Sequence, residues 1–131
     1  MTPLSTFDIA GRAMAAQLVR LNTIASNLAN AGAVSGSADT AYRALKPVFA
    51  TAYRGATATV DVASVQRTGT PDKRNDPSHP LADAEGNVWT AAVDPNQELV
   101  EMVETQRQYA NNVEVLTAAK TLALDTLKLG R

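Results

Sequence analysis

The run from Asp94 to Leu129 constrains this chain most, because it reads as one unbroken helix of roughly 54 Å at 1.5 Å per residue. A helix that long overreaches the core of a 131-residue chain. Stepping alternately by three and four residues along it gives Leu99, Met102, Gln106, Tyr109, Val113, Leu116, Lys120, Ala123 and Leu127. This is a heptad seam interrupted only by Gln106 and Lys120, and it calls for a partner helix. Asp94 is placed to cap it, Pro95 suits the first helical position, Gln97 supplies the other half of a capping box, and Gly130 closes the far end. Glu98, Glu101 and Glu104 near its start, with Lys128 and Arg131 at its end, oppose the helix dipole favourably.

The partner is at the other end of the chain. Phe7, Ala10, Met14, Gln17, Leu21, Ile24 and Leu28 repeat the same step after a capping-box pair at Ser5 and Asp8. Ala10, Gly11, Ala13, Ala15 and Ala16 leave a narrow helix surface that admits either a small-residue core contact or a tight contact between helices. Asn27, Asn30 and Gly32 are expected to end this helix, since Asn and Gly tolerate the left-handed conformation of a C-cap. Single amides such as Gln17 and Gln106 in a seam fix register, or bond each other or a neighbouring subunit.

Between the helices the period changes. Residues 31–41 are small, polar and rich in Gly and Ser, which predicts a loop or mobile linker. Ala58, Val60 and Val62 then alternate with Thr57, Thr59 and Asp61, the period of a strand, and the phase slips near Ala63, as at a bulge or strand end. The segment Arg43–Tyr53, with Pro47, offers an edge partner strand, and Asn87–Ala92 a shorter third strand. Pro71, Pro77 and Pro80 predict an extended surface loop over 69–80. The fold class is therefore α+β: long terminal helices pairing as an antiparallel coiled coil, with a small β-rich insertion between them. The divisions fall at 1–32, 33–93 and 94–131.

Chemistry has little foothold. Twelve basic and thirteen acidic residues, with no basic stripe, give no electrostatic footprint for nucleic acid. No segment is long and apolar enough to insert directly in a membrane, and residues 1–12 do not read as a cleavable signal peptide. The absence of cysteine excludes disulfides and thiolate sites. The one loop with candidate groups is His79 with Asp76 and Asp83, which supports an alternative reading as a small hydrolase or metal-binding domain. A lone histidine in a Pro-rich loop falls short of a ligand set, so the expectation is no catalytic residue, no metal and no cofactor. Against this, the second half of the C-terminal helix is apolar beyond its seam, at Val115, Ala118, Ala119, Leu122, Leu124 and Leu129. One partner helix cannot cover all of that, which points to self- or co-assembly.

Two stretches also carry a family resemblance. Leu21-Asn22-Thr23-Ile24 with Ala25-Ser26-Asn27-Leu28-Ala29-Asn30-Ala31 resembles the N-terminal signature of bacterial flagellar rod and hook axial proteins. Gln106, Arg107, Tyr109, Asn112, Val113-Glu114-Val115-Leu116 and Ala119-Lys120 resemble their C-terminal signature. In the centre, Tyr42-Arg43, Lys46-Pro47-Val48-Phe49, Asp76-Pro77 and His79-Pro80-Leu81-Ala82-Asp83 with Gly86 resemble a short proximal-rod subunit of that family. Asn75, Ser78, Ala92 and Asn111 depart from its usual residues. The resemblance implies a non-enzymatic structural subunit, exported without a cleavable signal through the flagellar type III export apparatus. It further implies assembly with copies of itself and with the rod subunits FlgB, FlgF, FlgG and FliE into a helical rod that spans the periplasm and transmits torque. The terminal helices would form its inner layer. Seams and signatures together place the expected assembly interface at Phe7, Met14, Leu21, Ile24, Asn27, Leu28, Asn30, Leu99, Met102, Gln106, Tyr109, Asn112, Val113, Leu116, Leu122 and Leu127.

Overall fold

A computed structural model describes residues 3–130, with side chains from Ser5 onward. Arg131, expected to complement the helix dipole, lies outside the described residues. The order is α1 (Pro3–Asn30), β1 (Val34–Ser35), β2 (Ala44–Arg54), β3 (Thr57–Thr68), β4 (Asp72–Asn75), β5 (Asn87–Thr90) and α2 (Pro95–Leu129), an α+β chain. Gln17 bonds Gln108, Arg20 approaches Glu101, and Asn27 bonds Glu98. Rising numbers on α1 meet falling numbers on α2, so the two helices run antiparallel.

The ends of the helices differ in part from expectation. At α2, Asp94 is extended (φ −96°, ψ 107°), and its Oδ1 accepts from the backbone N–H groups of Asn96 (3.0 Å) and Gln97 (3.4 Å). The Gln97 side chain does not complete a capping box; its Nε2 donates forward to Glu101 Oε1 at 3.3 Å. Ser5 lies inside α1, which starts at Pro3, rather than capping it. Neither helix ends in a left-handed cap: Gly130 has φ −85°, and Gly55, Gly69 and Gly86 are the only described residues with positive φ. Asn27 does not terminate α1 either. It is wholly buried within the helix and has another task, described below.

The seam of α2 is rotated by one residue from the expected one. Glu98, Met102, Thr105, Tyr109, Asn112, Leu116, Ala119 and Ala123 form the covered stripe, while Leu99, Gln106, Val113, Lys120 and Leu127 are exposed. Of the nine expected positions four hold (Met102, Tyr109, Leu116 and Ala123), four shift from 99, 106, 113 and 120 to 98, 105, 112 and 119, and Leu127 is exposed. Counting apolar side chains misses this because Glu98, Thr105 and Asn112 are polar. Thr105 is buried by turning its hydroxyl onto the Glu101 carbonyl (2.6 Å), which satisfies it within its own helix. Gln106 and Lys120 therefore do not interrupt the covered stripe.

The centre forms two small antiparallel sheets: the hairpin β2–β3, and a three-stranded sheet in the order β1-β5-β4. In the hairpin Val48 pairs with Ser64 and Phe49 with Val62, so Ala63 is the extra residue, the bulge signalled by the phase slip in the sequence. Gly55 (φ +61°) opens the two-residue turn at its tip. The hairpin packs along α1, where Arg12 Nη1 meets Asp61 Oδ1 at 2.6 Å beside Ala16, Val19, Val60 and Val62. The second sheet overturns two loop assignments. Asp72–Asn75, expected to be loop, pairs with Asn87–Thr90, and the small-residue linker is held as Val34 and Ser35 pair with Thr90 and Trp89. Pairing with β5 orders Val34 and Ser35, and local bonds between Ser37 and Thr40 and from the Ala41 N–H to the Ser37 carbonyl fold the rest of the linker.

Gly86 (φ +77°) would bring a Cβ within 2.9 Å of the Pro77 ring, whereas a Cβ on Gly11 would meet open space. Gly86→Ala is therefore expected to lower stability by more than about 1 kcal/mol. Gly11→Ala should raise it by up to about 1 kcal/mol. Urea midpoints at unchanged slope check both.

Candidate assembly interface

The residues of the expected interface separate into two groups. Ile24 and Asn27 are buried, and Phe7, Met14, Leu21, Leu28, Asn30, Met102, Tyr109, Asn112 and Leu116 are half-buried. Leu99, Gln106, Val113, Leu122 and Leu127 are exposed. The first group lies within the fold of one chain; only the second presents its side chains outward.

The buried group centres on Asn27. Its Oδ1 accepts the Leu45 backbone N–H at 2.7 Å and the Tyr42 hydroxyl at 3.0 Å. Its Nδ2 donates to the Leu45 carbonyl and to Glu98 Oε2, each at 3.0 Å. All four hydrogen-bonding positions of the amide are filled. Because both backbone groups of Leu45 face it, the amide stands in for a neighbouring strand along the outer edge of β2, where the hairpin would otherwise present unpaired groups. The Tyr42 hydroxyl has one proton and gives it to Asn27, so Ser26 Oγ is the donor in its 3.0 Å contact with Tyr42 Oη.

Glu98 carries the network on. It is 3% exposed, and its second oxygen accepts Lys46 Nζ at 3.0 Å. Lys46 also donates to Glu101 at 2.9 Å, and Arg20 lies 3.9 Å from the other oxygen of Glu101. A carboxylate this buried is tolerable because amide and ammonium partners fill its oxygens; removing either would leave an uncompensated charge. Burial pulls the Lys46 pKa down, but the hydrogen bonds to Glu101 and Glu98 more than offset this and hold it above its ordinary 10.5. One amide and one ion cluster thereby tie α1, β2 and α2 together. In the sequence Glu98 reads only as a charge that complements the helix dipole and Lys46 only as part of the central resemblance, and no local periodicity marks either as paired. Gln17 bonds Gln108 (2.8 Å) rather than Gln106.

The His79 loop gives the enzyme reading no support. His79 Nδ1 accepts the Leu81 N–H (3.1 Å), and Asp83 Oδ1 accepts the N–H groups of Glu85 (2.9 Å) and Asn87 (2.8 Å), which shapes the turn into β5. The Ser78 hydroxyl holds the Asp76 pKa below its ordinary value against partial desolvation, with Arg74 and His79 adding to the effect. Among the described residues no group of three or more His, Cys, Asp or Glu is placed to hold a metal ion. These side chains spend their contacts on the loop's own structure.

The exposed group is aliphatic. Leu122 and Leu127 are 66% and 68% exposed, and Leu99, Val100, Val103, Val113, Val115, Leu124 and Leu129 join them on α2. Leu99, Val100 and Val103 also line a shallow groove of about 400 Å³ with Glu104 and Arg107. So much apolar surface on one helix makes this face the candidate interaction surface of the chain.

Known proteins match this layout. The Flagella basal body rod protein family matches residues 7–36, and the family of the C-terminal region of flagellar basal body rod FlgEFG proteins matches 84–129. The flagellar basal-body rod protein FlgC of Salmonella typhimurium is 46% identical over 134 aligned positions that take in 100% of both chains. The chain belongs to the FlgC family of flagellar basal-body rod proteins. FlgC of Yersinia enterocolitica is 44% identical over the full length of both chains, and that of Aquifex aeolicus 30% over 93% of this chain and 92% of its own. In this FlgC-family chain the two family matches take in most of α1 and all of α2, and they include Asn27 and Glu98.

Asn27→Ala removes four hydrogen bonds and leaves the Leu45 backbone groups unpaired; stability should fall by about 3 kcal/mol, read from urea unfolding. Lys46 has a folded pKa above its unfolded one, so its contribution is full below pH 10.5 and is lost as pH rises through the folded value. Stability should therefore decline above pH 10.5 more steeply in the wild type than in Lys46→Met, which has no ammonium to lose.

Proposed function

We propose that this chain is a non-enzymatic structural subunit of the proximal rod of the bacterial flagellar basal body. In this reading it assembles through its terminal helices and transmits torque by packing. The observation that carries the reading is the exposed aliphatic surface of α2, in a chain whose relatives are named rod proteins. The paired helices form the inner coiled-coil layer, and the two small sheets lie outside it. The partners are copies of the same chain and the neighbouring rod subunits FlgB, FlgF, FlgG and FliE. Delivery is through the flagellar type III export apparatus, into a rod that spans the periplasm. No helix of the described residues is long and apolar enough to cross a membrane, which fits a subunit held in place by protein neighbours.

The rotated seam sharpens the test. Val113 is exposed, while Leu116 faces inward, so aspartate at the two positions should fail differently. Val113→Asp and Leu122→Asp should leave the unfolding free energy of the isolated chain within about 0.5 kcal/mol of wild type, as surface changes do. Both should abolish swimming and stop the rod in electron micrographs of basal bodies. Leu116→Asp should also destabilise the folded chain, because it places a charge against α1. Normal swimming of Val113→Asp and Leu122→Asp cells would sink the reading.

A further inference from the structure

The exposed aliphatic surface of α2 contains a second heptad seam. Leu99, Val103, Gln106, Ala110, Val113, Thr117 and Lys120 follow the alternating step of four and three, and all are exposed. We infer that this seam packs antiparallel on α1 of a second copy of the chain, with Lys120 opposite Asp8 and Gln106 opposite Asn22. The inference rests on the reading of the chain as an assembly subunit, and it names the partner surface and register.

Three observations select that occupant. Among the α1 residues with described side chains, the exposed ones are Asp8, Gly11, Ala15, Leu18, Asn22, Ala25 and Ala29 and no others, again in heptad steps. The remaining faces of α1 are covered by α2 and the β2–β3 hairpin, so this stripe is what α1 offers to a neighbour. Charge complementarity then picks the register. With Asp8 against Lys120, an antiparallel alignment sets Gly11 against Thr117, Ala15 against Val113, Leu18 against Ala110, Asn22 against Gln106, Ala25 against Val103 and Ala29 against Leu99. The opposite charges meet, the two amides meet, and in every apolar layer a small residue faces a larger one.

The order is not supplied by the fold of the single chain, whose own helix contact uses the other face of each helix. It also accounts for Gln106 and Lys120, which sit outside the covered stripe, and for Gly11, which has open space where its Cβ would be. Asp8 is free to take a second cation: its contact with Arg12 is a 3.3 Å bridge on a side chain 44% exposed. The two surfaces are unlike, so each copy that contributes its α2 seam keeps an α1 stripe for another. A contact of that kind repeats from copy to copy.

The chain has no cysteine, which makes cross-linking selective. Cells co-expressing the single variants Ala15→Cys and Val113→Cys, treated with a mild oxidant, should yield a disulfide-linked dimer. Pairing Ala15→Cys with Glu114→Cys, one residue further round α2, should not. Adding Asp8→Lys to the first variant should abolish the dimer, and adding Lys120→Asp to the second should restore it. No dimer from the first pair, an equal one from the Glu114→Cys pair, or no restoration by the charge exchange overturns the register. If cells lacking the chain still build a complete rod, the assembly reading fails instead. The two failures are distinct.

Discussion

The packing of this chain depends on the amide of Asn27. It joins both terminal helices to the β2–β3 hairpin, and it satisfies both backbone groups of Leu45 while holding a buried carboxylate, Glu98. Without it the outer edge of β2 would present unpaired groups to the interior, and Glu98 would keep only the Lys46 ammonium. Because the cluster joins residues from α1, β2 and α2, it sets where the hairpin lies relative to the helix pair. That placement decides which face of α1 is covered and which stays open.

The antiparallel helix pair has an unusual internal economy. Its covered stripe on α2 mixes Glu98, Thr105 and Asn112 with Met102, Tyr109 and Leu116, while many of its leucines and valines lie outside. A chain selected only for stability as a monomer would bury those aliphatic side chains first, since they gain most from leaving water. Here polar residues take a share of the intramolecular contact beside Met102, Tyr109 and Leu116, and many other large apolar side chains of α2 face outward. The pattern suits a subunit whose helices must satisfy two sets of neighbours, its own partner helix and those of adjoining chains.

The central region works as a fitting for the helices. The hairpin bends at Ala63 and packs along α1 through Arg12 and Asp61, and the three-stranded sheet gathers the linker after α1, the Pro-rich loop and the approach to α2. Asp76, His79 and Asp83 contribute turn contacts, which gives these chemistry-bearing residue types a structural reason to occur together there.

Local signals in the sequence were enough for the two helices, the Asp94 cap, the strands around Val48 and Val60, the slip at Ala63 and the surplus of apolar surface on α2. Each rests on periodicity or on the chemistry of a few adjacent residues, which act before any distant contact forms. On α1 the expected seam from Phe7 to Leu28 is covered at every position, so what only the tertiary structure decided was the face that α2 buries. A shift of one residue on α2 separates the expected seam from the real one, and it is set by Asn27, Leu45 and Lys46, which lie far from Glu98 in the sequence. The strand at Asp72–Asn75 and the ordered linker at Val34–Ser35 depended likewise on pairing with β5. Periodicity identifies an apolar stripe; whether that stripe faces its own chain or a neighbour is determined by polar contacts made across the fold.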